Sequence, residues 1–345
     1  MKSGHPQQND LHPVMVSIII VNWNSKEYLR QCLLSLQRHC PRPDMEVIVV
    51  DGASFDGCGE MLAREFPSVI FIQSELNVGF AKANNLGARS ARGENLLLLN
   101  PDTEFVEDSI SVMLAAQAGL PAAGAIGCRL LNRDQSLQTS CVQAFPTALN
   151  QALDSEFLHK LFPRSSLWGI APLHSGSDQP APAEAISGAC ILVKRKFFEA
   201  VGGFTESYFM YGEDLDLCFK LTRAGHPSCY VPGTRLIHYG GGSTGQAVSN
   251  FSTVMMRVSV HQFIWKHHGP FSALAYRLST AFSALVRLIL ICPLLLFGNR
   301  VVSHGQGSLR KWSAILRWSL GLAPEVAKPR SAVPAPVTPT PAPTP

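Results

Sequence analysis

Residues 14–21, VMVSIIIV, form an unbroken apolar run of strand length. Such a run suits a strand covered on both faces, because a half-exposed strand alternates apolar and polar residues. That strand needs layers on both sides, and the next stretch of chain supplies them. Ser25–Arg38 places Tyr28, Leu29, Cys32, Leu33 and Leu36 at helical spacing, with Ser25 as its N-cap. Glu46–Val50 and Val69–Ile72 read as strands around a helix at Asp56–Phe66. Phe80–Arg92 reads as a helix and Asn95–Leu99 as a strand. This alternation predicts an α/β fold with a mostly parallel sheet flanked by helices.

Residues 140–182 are rich in Pro and Ser and read as a long flexible excursion. Order resumes with a strand at Ala189–Val193 and a helix at Lys196–Val201. A Gly202–Gly203 break follows, then a helix from Gly212 to Ala224 with Gly225 where a C-cap belongs. Ser228–Val231 and Arg235–His238 read as two short strands.

Charge divides the chain. Residues 1–250 hold 19 lysines and arginines against 24 acids, a net of −5. Residues 251–345 hold ten against Glu325 alone, a net of +9. A basic, apolar C-terminal part on an acidic body fits an anionic membrane surface. The body has no basic stripe interleaved with aromatics, which argues against nucleic acid. Leu278–Gly298 is mostly apolar, but Arg287 sits near its middle and Pro293 would kink it. A charged arginine at mid-bilayer costs about 2.5–3.5 kcal/mol. A helix lying in the interface is therefore favoured over a full span by residues 278–298, and a core-packing helix is the remaining reading. The nine cysteines are scattered without a CxxC, as buried reduced thiols of a cytosolic protein would be. Residues 1–13 are polar, lack a secretory h-region and read as disordered, as does the Pro-rich tail 329–345.

In a parallel sheet, ligands bind outside the carboxyl ends of the strands. Those ends read Asn22-Trp23-Asn24-Ser25, Asp51-Gly52-Ala53-Ser54, Asn77-Val78-Gly79-Phe80 and Asn100-Pro101-Asp102-Thr103. Any one of them is ordinary turn chemistry, but four in succession make one polar rim. No GxGxxG follows the first strand and no GxxxxGK[ST] occurs, which disfavours a dinucleotide dehydrogenase and a P-loop NTPase. The Asp51 carboxylate can still accept from a pyrimidine N–H, and Asp102 suits a hard divalent cation bridging a diphosphate. A second cluster, YFMYGEDLDL at 208–217, places three acids in a helix's first turn. There they favour the helix dipole, and behind Tyr and Phe they also suit a general base with a raised pKa. A third cluster, IHYGGGST at 237–244, puts His238 before a glycine run, as for a metal ligand beside a phosphate cradle.

In order, the motifs are VSIIIVNWNS, VDGASFDG, NVGFAKANNLGARSARGENLLLLNPDT, SGACILVKRKFFEAVGGFTESYFMYGEDLDLCFKLTRAG and IHYGGGST. Together they resemble glycosyltransferase family 2, and within it the bacterial rhamnosyltransferases of cell-surface polysaccharide assembly. The resemblance covers residues 14–245. It implies a GT-A fold over 14–250, with 14–104 holding a nucleotide-diphosphate sugar and 185–245 the acceptor and catalytic half. A helical, membrane-associating region would follow at 251–328. It implies inverting transfer of a sugar, L-rhamnose in that branch, to a hydroxyl of a lipid-linked or polysaccharide acceptor. Transfer would occur in the cytoplasm, on the inner face of the bacterial plasma membrane. Asp51 would contact the donor base, with Asn22, Asn24, Asn77, Gly79, Asn84, Asn85, Asn100 and Asp102 around the donor. Asp102 and His238 would bind a divalent cation, Mg2+ or Mn2+. Asp214 would be the base, supported by Glu213, and Gly188, Tyr211 and Asp216 would stand on the acceptor side. The family's DxD reads Asn100-Pro101-Asp102 here, and an arginine frequent in the family is Asn84. Two other classes stand beside this reading. A nucleotidyltransferase would want a basic Gly-rich loop where NWNSK stands, and a non-catalytic sugar-binding protein would not need the acids at 102 and 214.

Overall fold

The computed structural model describes residues 14–240, 250–294 and 299–322. The expected disordered termini at 1–13 and 329–345 and the glycine run from Gly241 on lie outside the described residues. The apolar run becomes β1 (Val16–Asn22), buried at nearly every position. Its one polar interior residue is satisfied: Ser17 donates to Glu46 at 2.6 Å and accepts from the Gly93 amide at 2.8 Å. Then come α1 (Lys26–His39), β2 (Met45–Asp51), α2 (Cys58–Glu65), β3 (Ile70–Gln73), α3 (Phe80–Ser90) and β4 (Asn95–Leu99). Ser25 stands at the α1 N-cap, but its hydroxyl donates to the Trp23 carbonyl rather than capping the helix. β5 (Thr103–Phe105), α4 (Ser109–Gly119) and β6 (Ala125–Leu131) follow.

The excursion expected at 140–182 holds short ordered elements. They are β7 (Val142–Gln143), α5 (Ala148–Ala152), α6 (Glu156–Leu161) and β8 (Ala181–Ala183). Thr147 and Asn150 form a reciprocal cap on α5, a signal too local to stand out among prolines and serines. β9 (Ala185–Ile186), β10 (Cys190–Lys194), α7 (Arg195–Ala200), α8 (Glu213–Arg223) and β11 (Ser228–His238) complete the body. The two short strands expected at 228–238 are one strand, with a register shift between Val231 and Arg235 where Pro232-Gly233 interrupts the pairing.

The main sheet has nine strands in the order β3-β2-β1-β4-β10-β6-β11-β5, with β8 also on β11. β1, β2, β3, β4, β6 and β11 run one way, and β10, β5 and β8 run against them. The sheet is therefore mostly parallel. β4 is wholly buried, so both of its faces are covered. Eight of the nine cysteines are described, and all eight are buried and unpaired.

α9 (Asn250–Leu294) is long and apolar, but Gly269 breaks it with φ 83° and ψ 174°. Its halves fold together: the rings of His261 and Tyr276 lie 6.5 Å apart, far less than a straight helix of fifteen residues allows. α10 (Asn299–Ser319) runs back along the second half, where Arg277 donates to the Trp318 carbonyl and Arg287 stacks 4.3 Å over Trp312. Arg287 therefore faces α10. Phe271, Leu274, Leu278, Phe282, Leu285 and Ile289 recur at helical spacing on the second half and are exposed, Phe271 to 87%.

Candidate functional site

A cavity of about 680 Å³ opens at the carboxyl ends of β1 and β4. On its donor side, β1 and β2 pair in register so that Asn22 stands beside Asp51. The Asn22 amide donates to Asp51 at 2.9 Å, while its own Oδ1 is buried and unpartnered. Asp51 also accepts from the Ser54 hydroxyl and amide at 2.7 and 2.8 Å and from Gln73 Nε2 at 2.9 Å. Its four bonds set the loop, and Asn22, Trp23 and Gly52 are the neighbours that line the cavity. Trp23 Nε1, like Asn22 Oδ1, is buried and unpartnered. An unpaired donor and acceptor on one cavity wall are costly unless a ligand completes them.

Asn77 accepts from the Gly79 amide at 3.0 Å, and both residues line the cavity. Gly79 has φ 85°, and a Cβ there would lie 2.4 Å from the Phe209 carbonyl oxygen. Only glycine allows that approach, which the Phe80 amide seals by donating to the same oxygen at 2.9 Å.

The remaining expected donor residues lie elsewhere. Asn24, at φ 48°, accepts from the Phe55 amide and holds the loop. Asn84 is fully buried and donates to the Phe80 carbonyl within its own helix. Asn85 clasps the Phe204 backbone, donating to its oxygen and accepting from its amide, both at 2.9 Å. None of these three lines the cavity. The resemblance implied donor contact for these residues, but here their side chains bond the backbone.

Across the cavity, β11 brings His238 to the loop after β4. Gln138 Nε2 donates to Asn132, so its Oε1 faces His238 Nδ1 at 2.7 Å and accepts from it. His238 Nε2 then faces Asn100 Nδ2 at 3.3 Å and Asp102 Oδ1 at 3.4 Å. One carboxylate and one imidazole nitrogen form a donor set that fits a divalent cation. Among the described residues no group of three or more His, Cys, Asp or Glu could hold a metal, so a diphosphate and water would complete the shell. No sequence signal marks Gln138, which sits 100 residues before the histidine it orients.

On the third side, Tyr211 and Gly212 have φ 68° and 76° and turn the chain sharply into α8. That turn swings Glu213 and Asp214 into the cavity. Asp214 accepts from the Gly188 amide and the Leu215 amide, each at 2.8 Å. Burial lifts its pKa above the usual carboxylate range. Burial first, and the Asp214 charge second, push Glu213 up to about 8. Glu213 Oε2 has no partner. Of the residues expected on the acceptor side, Gly188 and Tyr211 line the cavity and Asp216 does not. Asp216 is fully buried and accepts from Thr205 at 2.5 Å, His267 at 2.7 Å and Lys266 at 2.9 Å. Burial works to raise its pKa, yet these bonds win and hold it below the ordinary carboxylate value. Its place two residues beyond Asp214 suggested chemistry, but half a helical turn points it at α9 instead.

α9 also reaches the site directly. Ser259 donates to the Met210 carbonyl at 2.9 Å, and Met256, Arg257 and Val260 line the cavity beside Asn150, Asp154 and Trp168. None of these six residues stood out in the sequence, because this wall forms only when α5 and α9 pack together.

The family description of glycosyl transferase family 2 matches residues 17–172. N-acetylglucosaminyl-diphospho-decaprenol L-rhamnosyltransferase of Mycobacterium tuberculosis is 30% identical over 270 residues, covering 73% of this chain and 87% of its own. Rhamnosyltransferase WbbL of Escherichia coli is 27% identical over 235 residues, covering 65% of this chain and 83% of its own. Among solved structures, mannosyltransferase PcManGT from Pyrobaculum calidifontis, in complex with GDP-Man and Mn2+, superposes with a TM-score of 0.52. It is 16% identical and covers 90% of each chain, a likeness of fold that matches the GT-A expectation.

Proposed function

The chain belongs to glycosyl transferase family 2 and is a glycosyltransferase, and from that premise we propose that it transfers L-rhamnose, with inversion, from a nucleoside diphosphate to a lipid-diphosphate-linked sugar. The carrying observation is Asp214: a half-buried carboxylate with a raised pKa, held by the Gly188 amide, in the cavity that also contains Asp102 and His238. The mycobacterial relative supports the choice of donor sugar and acceptor.

The acceptor hydroxyl oxygen attacks the anomeric carbon from the Asp214 side, and its proton passes to Asp214. The bond from the anomeric carbon to the phosphate oxygen breaks, and the nucleoside diphosphate leaves with that electron pair. One in-line displacement needs one base and inverts the centre, whereas retention through a covalent intermediate needs a second carboxylate as nucleophile. Burial and the neighbouring Asp214 charge raise the Glu213 pKa, so the pair favours holding one proton over carrying two full charges. Asn22 and Trp23 offer their unpaired polar atoms to the donor. Asp102 and His238 would hold a divalent cation, which when bound neutralises charge developing on the diphosphate.

The exposed apolar face between Phe271 and Leu290 and the basic C-terminal part support attachment to the anionic inner surface of a membrane. The test incubates purified protein with L-rhamnose on a panel of nucleoside diphosphates and N-acetylglucosaminyl diphosphate on a short prenyl chain. Inverted rhamnosyl product is expected, and its absence across a panel of nucleotide sugars overturns the reading.

A further inference from the structure

The wall contributed by α9 carries a charge the reaction scheme has not yet used. Arg257 is the one lysine or arginine among the described residues lining the cavity. Met256, Val260 and Trp168 line the same cavity. The Arg257 helix is pinned to the acceptor-side loop by the Ser259–Met210 bond. Arg257 also lies where the two halves of α9 meet. Its charge reaches Tyr276, and burial first and the Arg257 charge second hold Arg287 below the ordinary arginine value. Phe282, Leu285 and Ile289 form the exposed apolar face on the side of the helix away from Arg287. The neighbouring acid in the lining, Asp154, is engaged by His159 at 3.2 Å.

A cavity that takes an anionic acceptor has to offset its charge, and an arginine fork matches phosphate oxygens in pairs. The donor diphosphate has the Asp102–His238 corner. We propose that Arg257 grips the diphosphate of a lipid-diphosphate-linked acceptor. This inference rests on the lipid-linked acceptor of the proposed function and assigns the residue that selects it.

The test uses the full-length protein and two acceptors with the same sugar and the same short prenyl chain. One carries a diphosphate, and the other an uncharged linker of equal length. Wild type prefers the diphosphate acceptor in kcat/KM. Arg257→Gln lowers that preference about 30- to 5,000-fold, the range for removing one partner of a buried charge pair. Arg257→Lys, which keeps the charge but loses the fork, restores part of it. The donor KM stays within about twofold in both variants, and thermal melting confirms that they fold. A preference unchanged in Arg257→Gln overturns the assignment while leaving the proposed function standing. So does a rise in donor KM that matches the loss, since Arg257 would then serve the donor diphosphate. Failure of wild type to use either acceptor removes the proposed function and this inference together.

Discussion

The backbone amide of Gly188 donates to the Asp214 carboxylate at 2.8 Å, tying the turn before β10 to the first turn of α8. The bond aims the carboxylate without neutralising it, so the group can be tested apart from its position. Asp214→Asn keeps an oxygen for the Gly188 amide and loses the ability to take a proton. Turnover should fall about 10²- to 10⁴-fold, the range for general acid–base catalysis. Donor affinity, read by calorimetry, should stay near wild type. Equal losses in both would make Asp214 a structural residue.

Glu213 gives the fold a dependence on pH. Its ordinary value is 4.5, and the folded protein raises it to about 8. Between those values the unfolded chain has lost the proton that the folded one keeps. Stability should therefore fall as pH rises across that window, by up to about 1.4 kcal/mol per pH unit. Glu213→Gln should flatten that slope in urea titrations. An unchanged slope would assign the dependence to another group.

Metal dependence follows from Asp102 and His238. Donor binding should strengthen with Mn2+ or Mg2+ in wild type, and Asp102→Ala should remove that gain. His238→Ala should weaken it, and Gln138→Leu, which frees the imidazole, should weaken it about 10- to 100-fold, as loss of an outer-shell partner does. Donor binding indifferent to chelator in wild type and variants alike would reject the site.

Gly79→Ala combines a forbidden contact with a left-handed backbone. The new methyl would press on the Phe209 carbonyl, so the loops carrying Asn77 and Tyr211 would part. A loss of about 1–3 kcal/mol of stability is expected from the backbone alone, with a lowered donor affinity. Gly202→Ala, also at positive φ but with open space around its Cβ, is the control for strain without a clash. Equal effects of the two substitutions would show that the contact with Phe209 is unimportant.

Attachment to membranes should depend on the exposed face of α9. The triple change Phe271→Glu, Phe282→Glu and Ile289→Glu should release the protein from phosphatidylglycerol vesicles in a flotation assay. High salt should release part of the wild type, because surface charge attraction is screened within about 10 Å at 0.1 M salt. Wild type that ignores such vesicles at low salt would reject the attachment.

The sheet was legible because its strands announce themselves: VMVSIIIV and NLLLL admit few other fates. The cavity rim was legible for Asn22, Asn77, Gly79, Asn100 and Asp102, since a parallel sheet fixes where its carboxyl ends point. Asn85 and Asp216 were misjudged, because a polar residue beside a functional one looks the same whether it serves a ligand or the backbone. Gln138, Trp168 and Arg257 were invisible. Each acquires its place only through packing between segments far apart in the sequence, and periodicity carries no information about that. The break at Gly269 was also missed, although the Gly269-Pro270 pair is a turn signal inside an otherwise helical pattern.

That break has a kinetic consequence. The first half of α9 is a wall of the cavity, and the second half carries the exposed apolar face. Because the halves fold together, whatever anchors the second also fixes the distance and tilt of the cavity above the surface. An enzyme anchored so meets its lipid-borne acceptor by lateral encounter within a thin layer, not by collision in bulk. Confinement to that layer raises the effective acceptor concentration, as a tether does between linked sites. Selection on such an enzyme would act on catalysis and on the angle at Gly269 together.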